Sequence, residues 1–208
     1  MNSRRPIIYI VDDDASVCRA LSLLLKSHGF EVETFICASD FLAFKRLLSP
    51  SCLVLDIQLP DMSGLALQEE MESRGIFIPI IFVTGHGDIP MSVKGMKAGA
   101  IDFLTKPFTK KKLLDAITLA ISKNKIKNKE IAEISKIKRR IRTLSPRELE
   151  VFQLVAKGML SKQIARKRGK HLTTIKVHRM RVMQKMQAKT VTELIHFAQK
   201  CGITSSWH

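Results

Sequence analysis

Three short runs, Ile7-Ile8-Tyr9-Ile10-Val11, Cys52-Leu53-Val54-Leu55 and Ile80-Ile81-Phe82-Val83, are apolar from end to end, with no charged residue inside them. A strand with one wet face alternates apolar and polar side chains; a run without alternation has to be covered on both faces. Helical patterns lie between the runs. Val17, Ala20, Leu21, Leu24 and Leu25 recur at helical spacing and stop near Gly29, and Leu65, Leu67 and Met71 begin another stretch after Gly64. With Glu31–Phe35 and Asp102–Leu104 as shorter strands, the order becomes five repeats of strand then helix. That alternation predicts a parallel sheet covered by helices on both faces.

Ligands of open parallel sheets bind beyond the carboxyl ends of the strands. There the sequence places Asp12-Asp13-Asp14 after the first strand, Asp56 after the third, Thr84 after the fourth and Lys106-Pro107 after the fifth. Clustered carboxylates repel one another and need a cation or a proton. Magnesium, a hard ion held by oxygen, suits this set better than zinc, because no His or Cys accompanies it. Asp14 reads as a residue that starts a helix. Asp61, Met62 and Gly64 read as the turn after the third strand, and His86 as a loop residue. Phe103, on its own, is compatible with plain core.

Charge divides the chain. Residues 1–121 carry 13 basic and 14 acidic side chains, whereas residues 122–208 carry 22 and 5. A near-neutral module is thus joined to one that meets a polyanion. No apolar run reaches the roughly 20 residues that span a bilayer, and the N-terminus has no signal-peptide pattern, so a cytoplasmic protein without a membrane partner is expected. Cys18, Cys37, Cys52 and Cys201 form no Cys-x-x-Cys pair and are expected as reduced thiols. Trp207, the residue before the last, carries no prediction of order.

Ser122–Arg142 holds nine Lys or Arg and two Glu, with no Pro or Gly. Such a run is often a solvated chain. However, Ile131, Ile134, Ile137 or Lys138, and Ile141 recur at helical steps and continue Leu113, Leu114, Ile117 and Ile121. The helix after the fifth strand is therefore predicted to run on, with Asn124–Asn128 as its weak point because Ile126 falls off the stripe. Beyond it, Ser145-Pro146-Arg147-Glu148 is a capping box with Pro at the first helical position. A helix to Gly158, a second from Ser161 to about Gly169, a third from about Thr173 to Met186 and a fourth capped by Thr190 give the order of a helix-turn-helix domain. On the third helix Lys176, Val177, Met180 and Gln184 form the outward set able to enter a major groove. Lys162, Arg179, Arg181 and Lys185 are expected on phosphates.

These motifs carry a resemblance. Val11-Asp12-Asp13-Asp14, Leu55-Asp56-Ile57-Gln58-Leu59-Pro60-Asp61-Met62-Ser63-Gly64, Val83-Thr84-Gly85-His86-Gly87-Asp88 and Lys97-Ala98-Gly99-Ala100-Ile101-Asp102-Phe103-Leu104-Thr105-Lys106-Pro107-Phe108 resemble a two-component receiver domain of the FixJ type. Leu144–Val151, Leu154–Gly158, Lys162–Ala165 and Thr174–Arg179 are similar to a LuxR/NarL-type DNA-binding domain. The resemblance implies a flavodoxin-like α/β receiver over residues 1–121, its sheet five-stranded, parallel and ordered 2-1-3-4-5. A basic linker over 122–143 and an all-α helix-turn-helix domain over 144–208 follow. It implies Asp56 as phosphoacceptor, Mg2+ held by Asp12, Asp13, Asp56 and the Gln58 backbone carbonyl, and Thr84 and Lys106 on the phosphoryl oxygens. Phe103 becomes the aromatic switch and Pro107 the site of a cis peptide. The implied partners are a sensor histidine kinase, double-stranded DNA, a second copy on phosphorylation, and RNA polymerase. The implied chemistry is limited to the receiver's own phosphotransfer and dephosphorylation. An aspartyl-phosphate hydrolase fits less well, since it would place a second Asp two residues after the nucleophile, where this chain has Gln58. Arg168 and Lys170-His171 depart from the LuxR pattern, which predicts a looser turn and Thr173 in place of His171 as the helix cap.

Overall fold

The computed structural model describes residues 5–45, 49–85 and 89–203, so His86, Asp88 and Trp207 lie outside the described residues. The chain forms two compact units, Met1–Asn128 and Lys129–His208. In the first, β1 (Ile7–Val11), β2 (Glu31–Phe35), β3 (Ser51–Asp56), β4 (Ile80–Thr84) and β5 (Asp102–Thr105) make one parallel sheet in the order β2-β1-β3-β4-β5. The three apolar runs are its central strands and are buried throughout.

Successive side chains of a strand point to opposite faces, which sorts the core into two layers. Ile8, Ile10, Cys52, Val54, Ile81 and Val83 pack under α1 (Ala15–Ser27) and the start of α5 (Lys110–Ile141), meeting Leu21, Leu25, Leu113 and Ile117. Tyr9, Leu53, Leu55 and Phe82 face the other way, onto Phe41 of α2 (Ala38–Ala43) and Leu67 and Met71 of α3 (Gly64–Ser73). A fully buried aliphatic or aromatic side chain contributes about 1.5–3 kcal/mol of transfer free energy, so these layers dominate the stability of the unit. The short helix α4 (Ile89–Lys97) precedes β5.

The helix α5 runs through Asn124–Asn128 without a break. Asn124 is buried there. Its Oδ1 accepts from the Ser51 amide at 3.0 Å and its Nδ2 donates to the Phe77 carbonyl at 3.2 Å, while Asn128 Nδ2 donates to the same Oδ1 at 2.8 Å. The apolar stripe of this helix is narrower than its spacing predicts. Ile137 is buried and Ile134 and Ile141 half-buried, but Ile131 and Ile126 stay exposed. The boundary between the two units falls inside the segment 122–143.

The second unit contains α6 (Pro146–Ala156), α7 (Ser161–Arg168), α8 (Leu172–Met186) and α9 (Val191–Lys200) around Phe152, Ile164, Ile175, Val182, Met186 and Leu194. Its first helix opens with the reciprocal cap: Ser145 Oγ accepts from the Glu148 amide and Glu148 Oε2 from the Ser145 amide at 2.8 Å. Gly169 ends α7 in the left-handed conformation at φ 57°, which its missing Cβ permits at little cost. The expected start of the third helix needs correction. His171, not Thr173, occupies the N-cap of α8, and its side chain makes no capping hydrogen bond. Arg168, the last residue of α7, ion-pairs with Glu150 of α6. No helix among the described residues is long and apolar enough to cross a membrane, and all four cysteines are free thiols.

Candidate functional site

Carboxylates gather at the carboxyl edge of the sheet because each follows, or ends, a central strand, and these strands run parallel. Asp56 is the last residue of β3 and Asp12 the first after β1; both are buried, while Asp13 is exposed. Carboxylate oxygens of Asp12, Asp13 and Asp56 all lie within 4.8 Å of one another. Local bonds aim them. Asp12 Oδ1 accepts from the Asp14 amide at 3.0 Å, and Asp56 Oδ1 from the Gln58 amide at 3.1 Å. Asp14 does cap a helix: its side chain accepts from the Ser16 and Val17 amides at the start of α1.

The ammonium of Lys106 closes the cluster. Its Nζ donates to Asp12 Oδ2 at 2.7 Å and to Asp56 Oδ2 at 2.8 Å, which binds the ends of β1 and β3 to the segment after β5. Burial pushes the Asp12 carboxyl above its ordinary pKa, and the Lys106 ammonium offsets only part of that. For Lys106 itself burial acts downward, but its bonds to Asp12 and Asp56 outweigh it and raise the pKa. The lysine is therefore firmly charged. Three carboxylates against one ammonium leave a negative, all-oxygen pocket, and that donor set suits a hard divalent cation.

The remaining residues stand around this cluster. Thr84 is buried at the end of β4, and its carbonyl accepts from the Lys106 amide at 2.7 Å. The Lys106–Pro107 peptide is cis. Phe103 is half-buried on β5, its ring 6.2 Å from that of Phe82, and Gln58 is exposed two residues past Asp56. Asp61 lies in the turn after β3 and Gly64 where that turn enters α3, as the sequence predicts, but their contacts at the site were not legible in it. Gly64 packs its backbone on Asp56 so closely that a Cβ there would lie 2.4 Å from the Asp56 carbonyl oxygen. Asp61 reaches across to the start of α2 and accepts from the Ala38 and Ser39 amides at 3.1 and 2.8 Å. Only the side chain's preference for helix starts hinted at the latter.

In the second unit, Lys176, Val177, Met180 and Gln184 are all exposed along α8. Lys162 on α7 and Arg181 on α8 are exposed as well. The other two cations expected on phosphates are engaged internally. Arg179 is half-buried and its guanidinium donates to Ser161 Oγ at 3.1 Å, tying α8 to the start of α7. Lys185 Nζ donates to Glu148 Oε2 at 2.6 Å and to the Thr143 carbonyl at 3.1 Å. That ammonium and the Ser145 amide hold the Glu148 carboxyl down to about 2.

Residues 8–118 match the response regulator receiver domain family, and residues 142–198 match the luxR family of bacterial regulatory proteins. The chain is a response regulator. It is 43% identical to nodulation protein W of Bradyrhizobium diazoefficiens, over 98% of this chain and 90% of that protein. It is 44% identical to the response regulator protein TmoT of Ectopseudomonas mendocina, over 96% and 91%. Among solved structures, the response regulator StyR superposes with a TM-score of 0.81 at 45% identity, over 94% of this chain and 99% of that one. Full-length FixJ from B. japonicum gives 0.55 at 37% identity, over 96% and 98%. This response regulator joins a receiver to a LuxR-type DNA-binding helix-turn-helix domain and is a transcription regulator of the two-component type. Its domains imply a kinase that addresses the receiver and DNA as the target of the second unit.

Proposed function

We propose that transfer of a phosphoryl group to Asp56 controls DNA binding and transcription by this response regulator. The observation that carries the reading is the Lys106 ammonium seated on both Asp12 and Asp56, in a pocket whose ligands are all carboxylates. A carboxylate oxygen of Asp56 attacks the phosphorus of a phosphohistidine on a sensor kinase or of a small acyl phosphate. The P–O bond to Asp56 forms as the bond to the donor breaks, and the donor leaves with the electron pair. Asp12, Asp13, Asp56 and the Gln58 carbonyl would hold a magnesium ion, which would supply neutralisation of the phosphoryl charge. Lys106 supplies a fixed positive charge beside the oxygens on which charge accumulates. The Thr84 hydroxyl donates to the phosphoryl group, and Phe103 turns inward into the space this vacates.

The division of labour follows the charge. Residues 1–121 accept the phosphoryl group, 122–143 link, and 144–208 bind DNA. A second copy joins on phosphorylation, so that two α8 helices meet half-sites about one turn of duplex apart. Lys176, Val177, Met180 and Gln184 read base edges, with Lys162 and Arg181 on phosphates; Arg179 and Lys185 serve the fold that presents them. Acetyl phosphate with magnesium should add one phosphoryl group to the wild type and none to Asp56→Asn, read by intact-mass spectrometry. Equal labelling of the two proteins would overturn the assignment.

A further inference from the structure

The stretch from Lys129 to Arg142 carries six basic residues and two acidic ones, and they are sorted around α5. With 3.6 residues per turn, Lys129, Ala132, Lys136 and Arg139 form one row, and Ile131, Ser135, Lys138 and Arg142 the row beside it. All eight are exposed. Both glutamates lie on the other rows, which run through the buried Ile137: Glu130 with Ile134 and Ile141, and Glu133 with Arg140. Five cations thus share an outward face that holds no carboxylate.

The internal needs of this segment are met by other groups. Glu133 pairs with Lys200 of α9 at 2.6 Å. Arg140 turns inward, donating to the Met186 carbonyl at 3.1 Å and to the Gln187 side chain, with its guanidinium 5.9 Å from the Phe197 ring. The five outward cations make no ion pair among the described residues. The helix dipole accounts for cations in its last turn but not for Lys129 or Lys136. Like charges three and four residues apart work against the helix, a cost that a polyanion would remove.

The dimensions match duplex DNA. Lys136 and Arg139, like Lys138 and Arg142, stand about 5–6 Å apart, and Lys129 lies about 10 Å along the axis from Lys136. The face extends about 20 Å along the axis, a length over which duplex DNA presents roughly twelve phosphates. Through Arg140 this helix holds the C-terminal end of α8, the helix that carries the exposed Lys176, Val177, Met180 and Gln184. We infer that the outward face of α5 formed by Lys129, Lys136, Lys138 and Arg139, continued by Arg142 just past its end, is a second DNA contact, gripping phosphates beside the site that α8 reads. This rests on DNA being the target of the second unit. The contact is sequence-blind, since flexible ammonium and guanidinium groups on an exposed helix face meet the backbone without reaching base edges.

The experiment compares the full chain with Lys129→Gln/Lys136→Gln/Arg139→Gln, titrated on a random-sequence duplex by fluorescence anisotropy across a salt series. Each cation withdrawn from a phosphate should lower the slope of log K against log salt by about 0.9, so the triple variant's slope should be shallower by about 2–3 and its binding at least tenfold weaker at low salt. Its circular dichroism should match the wild type, and the Lys→Arg version at residues 129 and 136 should keep the wild-type slope. An unchanged slope in a folded triple variant overturns the inference, as does loss of binding to anionic phospholipid vesicles with DNA binding intact. A wild type that binds no duplex at all would instead refute the DNA-binding reading beneath it.

Discussion

Replacing Gly64 by Ala tests how closely the start of α3 is fitted to Asp56. The added methyl would lie 2.4 Å from the Asp56 carbonyl oxygen and 3.0 Å from the Ile57 Cα. Both are backbone atoms, so no change of rotamer can relieve the contact. Ordinary non-bonded separation is about 3.5 Å, and α3 must therefore retreat by about 1 Å. That movement breaks the hydrogen bond from the Gly64 amide to the Ile57 carbonyl, now 2.8 Å, at a net cost of about 1 kcal/mol. Overpacking adds about 1–3 kcal/mol. Against these, Ala is the better helix former by roughly 1 kcal/mol. The balance is a loss of about 1–3 kcal/mol, and the midpoint of the first unit's thermal transition should fall by about 5–10 °C. Because the push is delivered to the carbonyl of Asp56 itself, labelling by acetyl phosphate should slow as well. Hydrogen exchange of peptides covering β3 follows the unfolding of this unit separately from the other. Wild-type melting, exchange and labelling in Gly64→Ala would show that the packing reasoning is wrong.

Three further outcomes are expected. Lys106→Met leaves the buried Asp12 and Asp56 carboxylates facing each other without a cation, which should cost about 2–4 kcal/mol at pH 7 in urea unfolding and be partly restored by added MgCl2; a variant as stable as the wild type with no response to magnesium contradicts this. The carboxyl of Glu148 is lowered from its ordinary 4.5 to about 2 on folding, so it contributes stability above pH 4.5 and loses that contribution as the pH falls toward 2. Glu148→Gln should remove this part of the acid limb in urea titrations at pH 3 and pH 6, and an unaltered difference between the two pH values counts against it. Asn124→Ala strips partners from the Ser51 amide and the Phe77 carbonyl, which should cost about 2 kcal/mol and speed exchange at Ser51; exchange there at the wild-type rate speaks against the tether.

What could be read from the sequence was local or was dictated by two-sided burial. β1, β3 and β4 announced themselves because a strand covered on both faces cannot alternate. The Ser145–Glu148 cap was legible because both partners lie within one turn. Clustering of Asp12, Asp56 and Lys106 followed once the strands were parallel, since all three then end at one edge. The rest depended on contacts between distant residues. Nothing near Asn124 says that it meets Ser51 and Phe77, and a glycine after a turn looks the same whether or not a carbonyl presses on it. Cations were the hardest to assign. Lys185 and Arg181 look alike in sequence, yet one is bonded to Glu148 and the other stands out in solvent, because only the fold decides which carboxylate comes within reach.

The strand β3 is clamped at both ends, like a beam with no free tip. Its first amide is held by Asn124 of α5, and its last residue is gripped by Lys106 on one side and pressed by Gly64 on the other. A strand secured this way cannot fray one residue at a time, so its amides exchange only when the whole unit opens. Rigidity also transmits. A shift imposed at Asp56 has about 17 Å of stiff backbone behind it and arrives at Asn124, on the helix that carries the chain out of the receiver.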